Sequence, residues 1–195
     1  MTRMMKFALV TALALAATAS FAQTTVTALS GSTNVVLSTT FLNALSTLKV
    51  TPGVVYPTVL NGTTVNFPIG SGAIDLTTAK GNLDHQGGLT LTSGKTTVTI
   101  QDFLIDTTAS MPVITGLAIV NGELVGRITL FDLAFSSGFK LPIKLIDRTF
   151  LYLGWVSVTL DGEAASTLNT EFSTSGFKAG LSVGTANIKA LTGGV

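Results

Sequence analysis

The chain contains no cysteine, one histidine (His85), one tryptophan (Trp155) and two tyrosines (Tyr56 and Tyr152) among its 195 residues. Without cysteine there is no thiol chemistry, no Cys/His zinc site, no lipid-bearing N-terminal cysteine and no disulfide, so stability rests on core packing alone. Charge is scarce too: eleven cations face ten acids, and charged residues make up 11% of the chain. That balance offers no clustered positive field for a nucleic acid. A lone histidine leaves the usual acid–base machinery nearly empty. No Gly-x-Ser-x-Gly elbow accompanies it, since Gly70-Ser71-Gly72 is too short. No Asp-x-Asp-x-Asp run exists to hold calcium. These absences argue against an enzyme and against a metal centre. The remaining catalytic option is a secreted carbohydrate-active enzyme using paired carboxylates such as Asp102 and Asp106, which share a parity on one strand.

What is present begins with an export pattern. MTRMMKFALVTALALAATASFA places Arg3 and Lys6 before an apolar run from Phe7 to Ala17, with Ser20 and Ala22 set two apart. These are the cationic, apolar and small-residue regions of a secretory signal. The run is shorter than the roughly 20 residues of a membrane-crossing helix. The expectation is cleavage after Ala22, with residues 1–22 as signal peptide and 23–195 as a single β-rich domain, secreted or periplasmic and without an integral membrane span. Removing Arg3 and Lys6 from the eleven cations leaves nine against ten acids, a net charge near −1. At about 173 residues such a domain buries roughly 70% of its unfolded-chain surface and needs no covalent staple.

The rest of the chain is rich in Thr, Val, Leu, Ile and Gly and sparing in Glu, Lys and Arg. Branched residues restrict χ1 and favour extended backbone, whereas the formers of exposed helices are missing. Turn pairs cut the chain into strand-sized pieces. Asn61-Gly62, Ser93-Gly94 and Asn121-Gly122 each separate two apolar runs and predict three hairpins. Further breaks are expected at Gly70–Gly72, Lys80–Asn82 and Ser136–Gly138. In TVTIQDFLID, Val98 and Ile100 have one parity and Phe103 and Ile105 the other; in RITLFDLAF, Ile128 and Leu130 differ likewise from Leu133 and Phe135. Either these strands are buried on both faces, or bulges near Gln101-Asp102 and Phe131-Asp132 restore one face. Two segments break the pattern. Val35–Leu48 and Val158–Phe172 each run from a strand into Ser38 or Asp161, residues suited to cap a helix, and then into apolar residues at helical spacing. The reading is an all-β fold, an antiparallel β-sandwich or partly closed barrel, with two short helices.

Two regions suggest contacts. Lys140–Val158 holds Lys140, Lys144 and Arg148, four residues apart, followed by Phe150, Tyr152 and Trp155. Cations beside aromatics suit a binding surface; the competing expectation is that the unbroken apolar run from Phe150 to Val156 is a core strand behind a solvated basic edge. The Thr-rich stretch QTTVTALSGSTNVVL is suited to a sheet edge, in its own molecule or, by strand augmentation, in a neighbour's.

The string Leu83-Asp84-His85-Gln86-Gly87-Gly88-Leu89-Thr90-Leu91, with Val158-Thr159-Leu160 and Ala164-Ala165 further on, resembles the layout of HtaA-type domains of secreted bacterial proteins. The resemblance covers about 130 residues, from Phe41 to Phe172, and implies an all-β scaffold that in some members captures haem. Those members carry an iron-ligating tyrosine on an early helix; the comparable segment here, Phe41-Leu42-Asn43-Ala44-Leu45, has none. His85 is left as the residue the resemblance would bring to a pocket, while a histidine beside Gly87-Gly88 otherwise reads as a surface or hydrogen-bonded turn residue.

Taken together, the residues predict an exported non-enzymatic protein acting by binding or assembly, as an adhesin-like or structural component, with no cofactor. A protein or glycan partner, or self-association, goes with that reading. The alternative is a small-ligand or haem-binding module of HtaA type. The candidate binding residues are Lys140, Lys144, Arg148, Tyr152, Trp155 and His85.

Overall fold

Alternation of apolar and polar side chains sets the strands, and the turn pairs set their ends. The computed structural model describes residues 24–193, so the expected signal peptide lies outside the described residues. In chain order come β1 (Thr25–Leu37), α1 (Thr39–Thr47), β2 (Thr51–Val55), β3 (Val59–Asn61), β4 (Thr64–Asp75), β5 (Gly81–His85), β6 (Gly88–Ser93), β7 (Thr96–Asp106), β8 (Val113–Val120), β9 (Glu123–Ala134), β10 (Phe150–Leu160), α2 (Gly162–Glu171) and β11 (Ser182–Thr192). Each of the three predicted hairpin turns joins consecutive strands: β3 to β4, β6 to β7 and β8 to β9. At Gly70–Gly72 the expectation fails, because β4 runs straight through to Asp75.

The strands β7-β5-β4-β1-β11-β10-β9-β8 pair antiparallel in that order, and β8 returns to β7. Eight strands thus close into a barrel, with β6, β2 and β3 as extensions, so the barrel half of the fold expectation holds. Bulges supply the bending that closure requires. Between Gln101 and Leu104 the register against β8 slips, with Asp102 in the left-handed region at φ 53°. Val98, Ile100, Phe103 and Ile105 all reach the interior as a result. On β9 the slip falls between Thr129 and Phe131, one residue before the predicted place, and buries Leu130, Phe131 and Leu133.

The two helices plug one end of the barrel. Ser38 Oγ accepts from Phe41 N–H (3.0 Å) and Asp161 Oδ1 from Glu163 N–H (2.7 Å), as their sequence positions foretold. Phe41, Ala164 and Leu168 then pack against Leu91, Leu130 and Leu160. Within the barrel Phe67 meets Phe103 edge to face at 5.1 Å.

The N-terminal stretch is not an edge. β1 pairs with β4 on one side and β11 on the other, which places it in the middle of the wall. The reason is on its inner face: Val26, Ala28, Val35 and Leu37 are buried, and so is Thr33. Among the described residues no helix is long and apolar enough to cross a membrane.

Candidate functional site

The connection between β9 and β10, residues 135–149, is the longest among the described residues that carries no helix or strand of its own, and loops of this length in compact domains tend to carry function. Phe135 and Phe139 stack at 4.2 Å within it. Ile143, buried, donates its N–H to the Leu76 carbonyl at 2.6 Å and ties the loop to the β4–β5 turn. The loop runs beside β10, and a cleft of about 280 Å³ opens between them, lined by Phe139, Lys140, Ile143, Lys144, Tyr152 and Trp155 among others.

The apolar run of β10 only half fits the expected core strand. Leu151, Leu153 and Val156 are buried, but Tyr152 is 45% and Trp155 71% exposed. Simple alternation would send Trp155 inward with Leu151 and Leu153. A bulge prevents this: Leu153 pairs with Ile188 and Val156 with Ala186, leaving Gly154 and Trp155 together opposite Asn187. Trp155 takes the left-handed conformation, φ 58°, which costs an L-residue ~1–2 kcal/mol. Asn187 Oδ1 accepts from the Trp155 N–H at 3.2 Å and from the Tyr152 hydroxyl at 3.4 Å. The Tyr152 ring lies over Gly154, where an added Cβ would come within 2.8 Å of the phenol oxygen.

Four of the six predicted residues thus meet in one cleft. Arg148 does not join them; it is exposed at the end of the loop in a left-handed turn with Asp147. Spacing by four would align three cations on a helix or on a strand, and the segment from Lys140 to Arg148 forms neither. His85 is also elsewhere, and its reading as a surface turn residue is overturned. It is 5% exposed and lines the small cavity inside the barrel, about 40 Å³ in volume. The Gly87-Gly88 pair is the jog between β5 and β6 inside the sheet, and β5 turns Leu83 and His85 inward together. Its Nδ1 lies 3.2 Å from the Leu83 carbonyl and its Nε2 2.7 Å from Thr33 Oγ1. Because a carbonyl only accepts, Nδ1 carries the proton and Nε2 accepts from the threonine hydroxyl. Burial pushes the imidazole down to a pKa of about 4.

The carboxylates are occupied with turns. Asp106 accepts from the Thr108 N–H and hydroxyl, which hold it below the usual range, and Asp75 is lowered by the Thr77 and Thr24 hydroxyls above all. Asp102 sits on the β7 bulge, with its carbonyl accepting from Arg127. Among the described residues no group of three His, Asp or Glu is placed to hold a metal ion. Phe139, Gly154 and Asn187 were missed from sequence. A glycine inside an apolar strand run is a bulge signal and pointed at Gly154; nothing local marked Asn187, which arrives from another strand.

No family model matches the chain, and no curated protein does. Solved structures do. The C-terminal domain of HtaA from Corynebacterium glutamicum superposes with a TM-score of 0.64 at 16% identity, over 86% of this chain and 99% of that one. The chain has the HtaA-type fold. The haem-binding protein HtaB from the same organism gives 0.55 at 10% identity, over 88% of this chain and 96% of its own. A domain-swapped dimer of a histidine-to-alanine variant of the HtaA C-terminal domain gives 0.56 at 17% identity, over 78% and 90%. At these identities the likeness is one of fold. It nevertheless corrects two expectations, the adhesin-like or structural role and the absence of a cofactor, because a haem-binding protein stands among the neighbours and the ligand-binding alternative is better supported.

Proposed function

We propose that the protein is an exported haem-binding module and that the cleft between β10 and the 135–149 loop is where haem is held. Haem combines a flat apolar ring, an iron that accepts an oxygen or nitrogen donor, and two carboxylates. The barrel interior does not fit it: the inner cavity is about 40 Å³, against roughly 300–1,000 Å³ for small-molecule pockets. His85 does not fit either, since it is sealed inside the barrel beside that small cavity. The cleft, about 280 Å³ and open to solvent on one side, lies just under the small-molecule range and fits by chemistry. Tyr152 offers a phenol oxygen of the kind that serves as a haem ligand, Trp155 and Phe139 offer aromatic surface, and Lys140 and Lys144 offer ammonium groups to carboxylates.

The observation that carries the reading is the outward placement of Tyr152 and Trp155 beside two lysines on an HtaA-type fold. Bound haem would supply an iron centre; the chain's own part is to hold the ring, orient its acidic edge and limit water around it. The pattern of residues 1–22 supports a site of action outside the cytoplasm, which N-terminal sequencing of the exported protein checks. Self-association has a precedent in the swapped dimer of the neighbouring fold, and size exclusion measures it.

The direct test is titration of the purified protein with hemin. A saturable Soret shift is expected, lost in Tyr152→Phe and retained in a folded His85→Gln. No shift, or one indifferent to Tyr152, sinks the reading.

A further inference from the structure

We infer that Asn187 is the positioning residue of this cleft, locking Tyr152 and Trp155 into one preformed surface that selects flat ligands with acidic groups. This rests on the reading of the cleft given above and deepens it. The bulge leaves the Trp155 N–H out of the β10–β11 ladder, and Asn187 takes it. The same oxygen holds the Tyr152 hydroxyl, so one side chain couples the two rings. Gly154 shows what the bulge is built for. The left-handed residue is Trp155 and not its glycine neighbour, so Gly154 serves to make room for the Tyr152 ring rather than to relieve the backbone.

Charge around the pair has one sign. Lys140 and Lys144 line the cleft and no acid does. Lys189 stands opposite Tyr152 in the β10–β11 register, with its Nζ 4.9 Å from the Phe150 ring centroid. In a chain of nearly balanced charge, this local excess of cations favours an anionic ligand.

Metal-free protoporphyrin IX separates this inference from iron ligation, because Trp155 is the chain's one tryptophan and its quenching reports occupancy directly. Wild-type protein is expected to bind it, and to bind the dimethyl ester about tenfold more weakly. Asn187→Ala should also lose about tenfold, the cost of ordering a free side chain on binding. Its near-UV circular dichroism from Trp155 should fall while the far-UV spectrum stays unchanged. Asn187→Asp keeps the acceptor and should restore the Trp155 signal. Should Asn187→Ala not fold, Gly154→Ala displaces the Tyr152 ring from the other side and is expected to show the same loss. Wild-type affinity with an unchanged Trp155 signal in the variant used, or equal binding of acid and ester, overturns the inference. Failure of hemin to give a Tyr152-dependent Soret shift overturns the haem reading alone.

Discussion

His85 and Tyr152 are two of the chain's four hydrogen-bonding rings, and the barrel wall separates them. His85 lies inside, with each nitrogen satisfied and its charge suppressed by burial. Tyr152 lies outside, half-exposed, above a glycine and beside lysines. The inner site is a structural pair that completes the core: Thr33 and His85 satisfy each other where an apolar residue on either side would leave a buried polar group unpaired. The outer site is less economical. It keeps an indole in water on a strained bulge, and strain of that kind persists where the surrounding structure holds it for a purpose.

Perturbing each side should separate stability from binding. The largest effect is expected inside: Phe67→Ala removes the partner of Phe103 and should cost about 3–5 kcal/mol by denaturant melts. An equally destabilised Trp155→Ala would break the comparison. Next comes acid. The folded-state pKa of His85, about 4, lies below its ordinary 6.5, so the unfolded chain binds the extra proton first. The stability that His85 contributes is whole above pH 6.5 and is lost as pH falls toward 4, by ~3 kcal/mol. Melts across that window should show the fall, and His85→Gln should flatten it. A third test bears on the outer face. Lys140→Ala with Lys144→Ala should weaken hemin binding about tenfold while leaving the melting temperature within a degree or two. The smallest effect is at Trp155→Gly, where relief of the left-handed conformation should leave stability unchanged or raise it by up to ~1 kcal/mol as hemin affinity drops. Trp155 emission should be red-shifted and readily quenched by acrylamide; blue, protected emission would place the indole in the core and remove the cleft.

Much of the scaffold was legible residue by residue. Ser38 and Asp161 announced their helices because a cap acts on N–H groups two or three residues away. Asn61-Gly62, Ser93-Gly94 and Asn121-Gly122 announced hairpins because the required positive φ belongs to the turn itself. The parity switch across Gln101-Asp102 marked either a bulge or a strand buried on both faces, and the barrel, which buries one face, decided for the bulge. The cleft was legible in part. Lys140, Lys144, Tyr152 and Trp155 stood out as cations beside aromatics, but the same letters also described a core strand behind a solvated basic edge, the reading the sequence favoured. Only the register of β10 against β11 places Trp155 outside.

Local chemistry therefore determined the strands, the caps, the turns and the scarcity of catalytic groups, since each depends on neighbours a few residues apart. Tertiary structure alone decided that β1 is central, that the sheet closes, that His85 is sealed within it and that Arg148 stands apart from the lysines. It also brought Asn187 from β11 to Tyr152 and Trp155. The physical reason is the same in each case: a strand's burial and a side chain's partners depend on which strands lie beside it, and pairing between distant segments is set by the closed barrel as a whole.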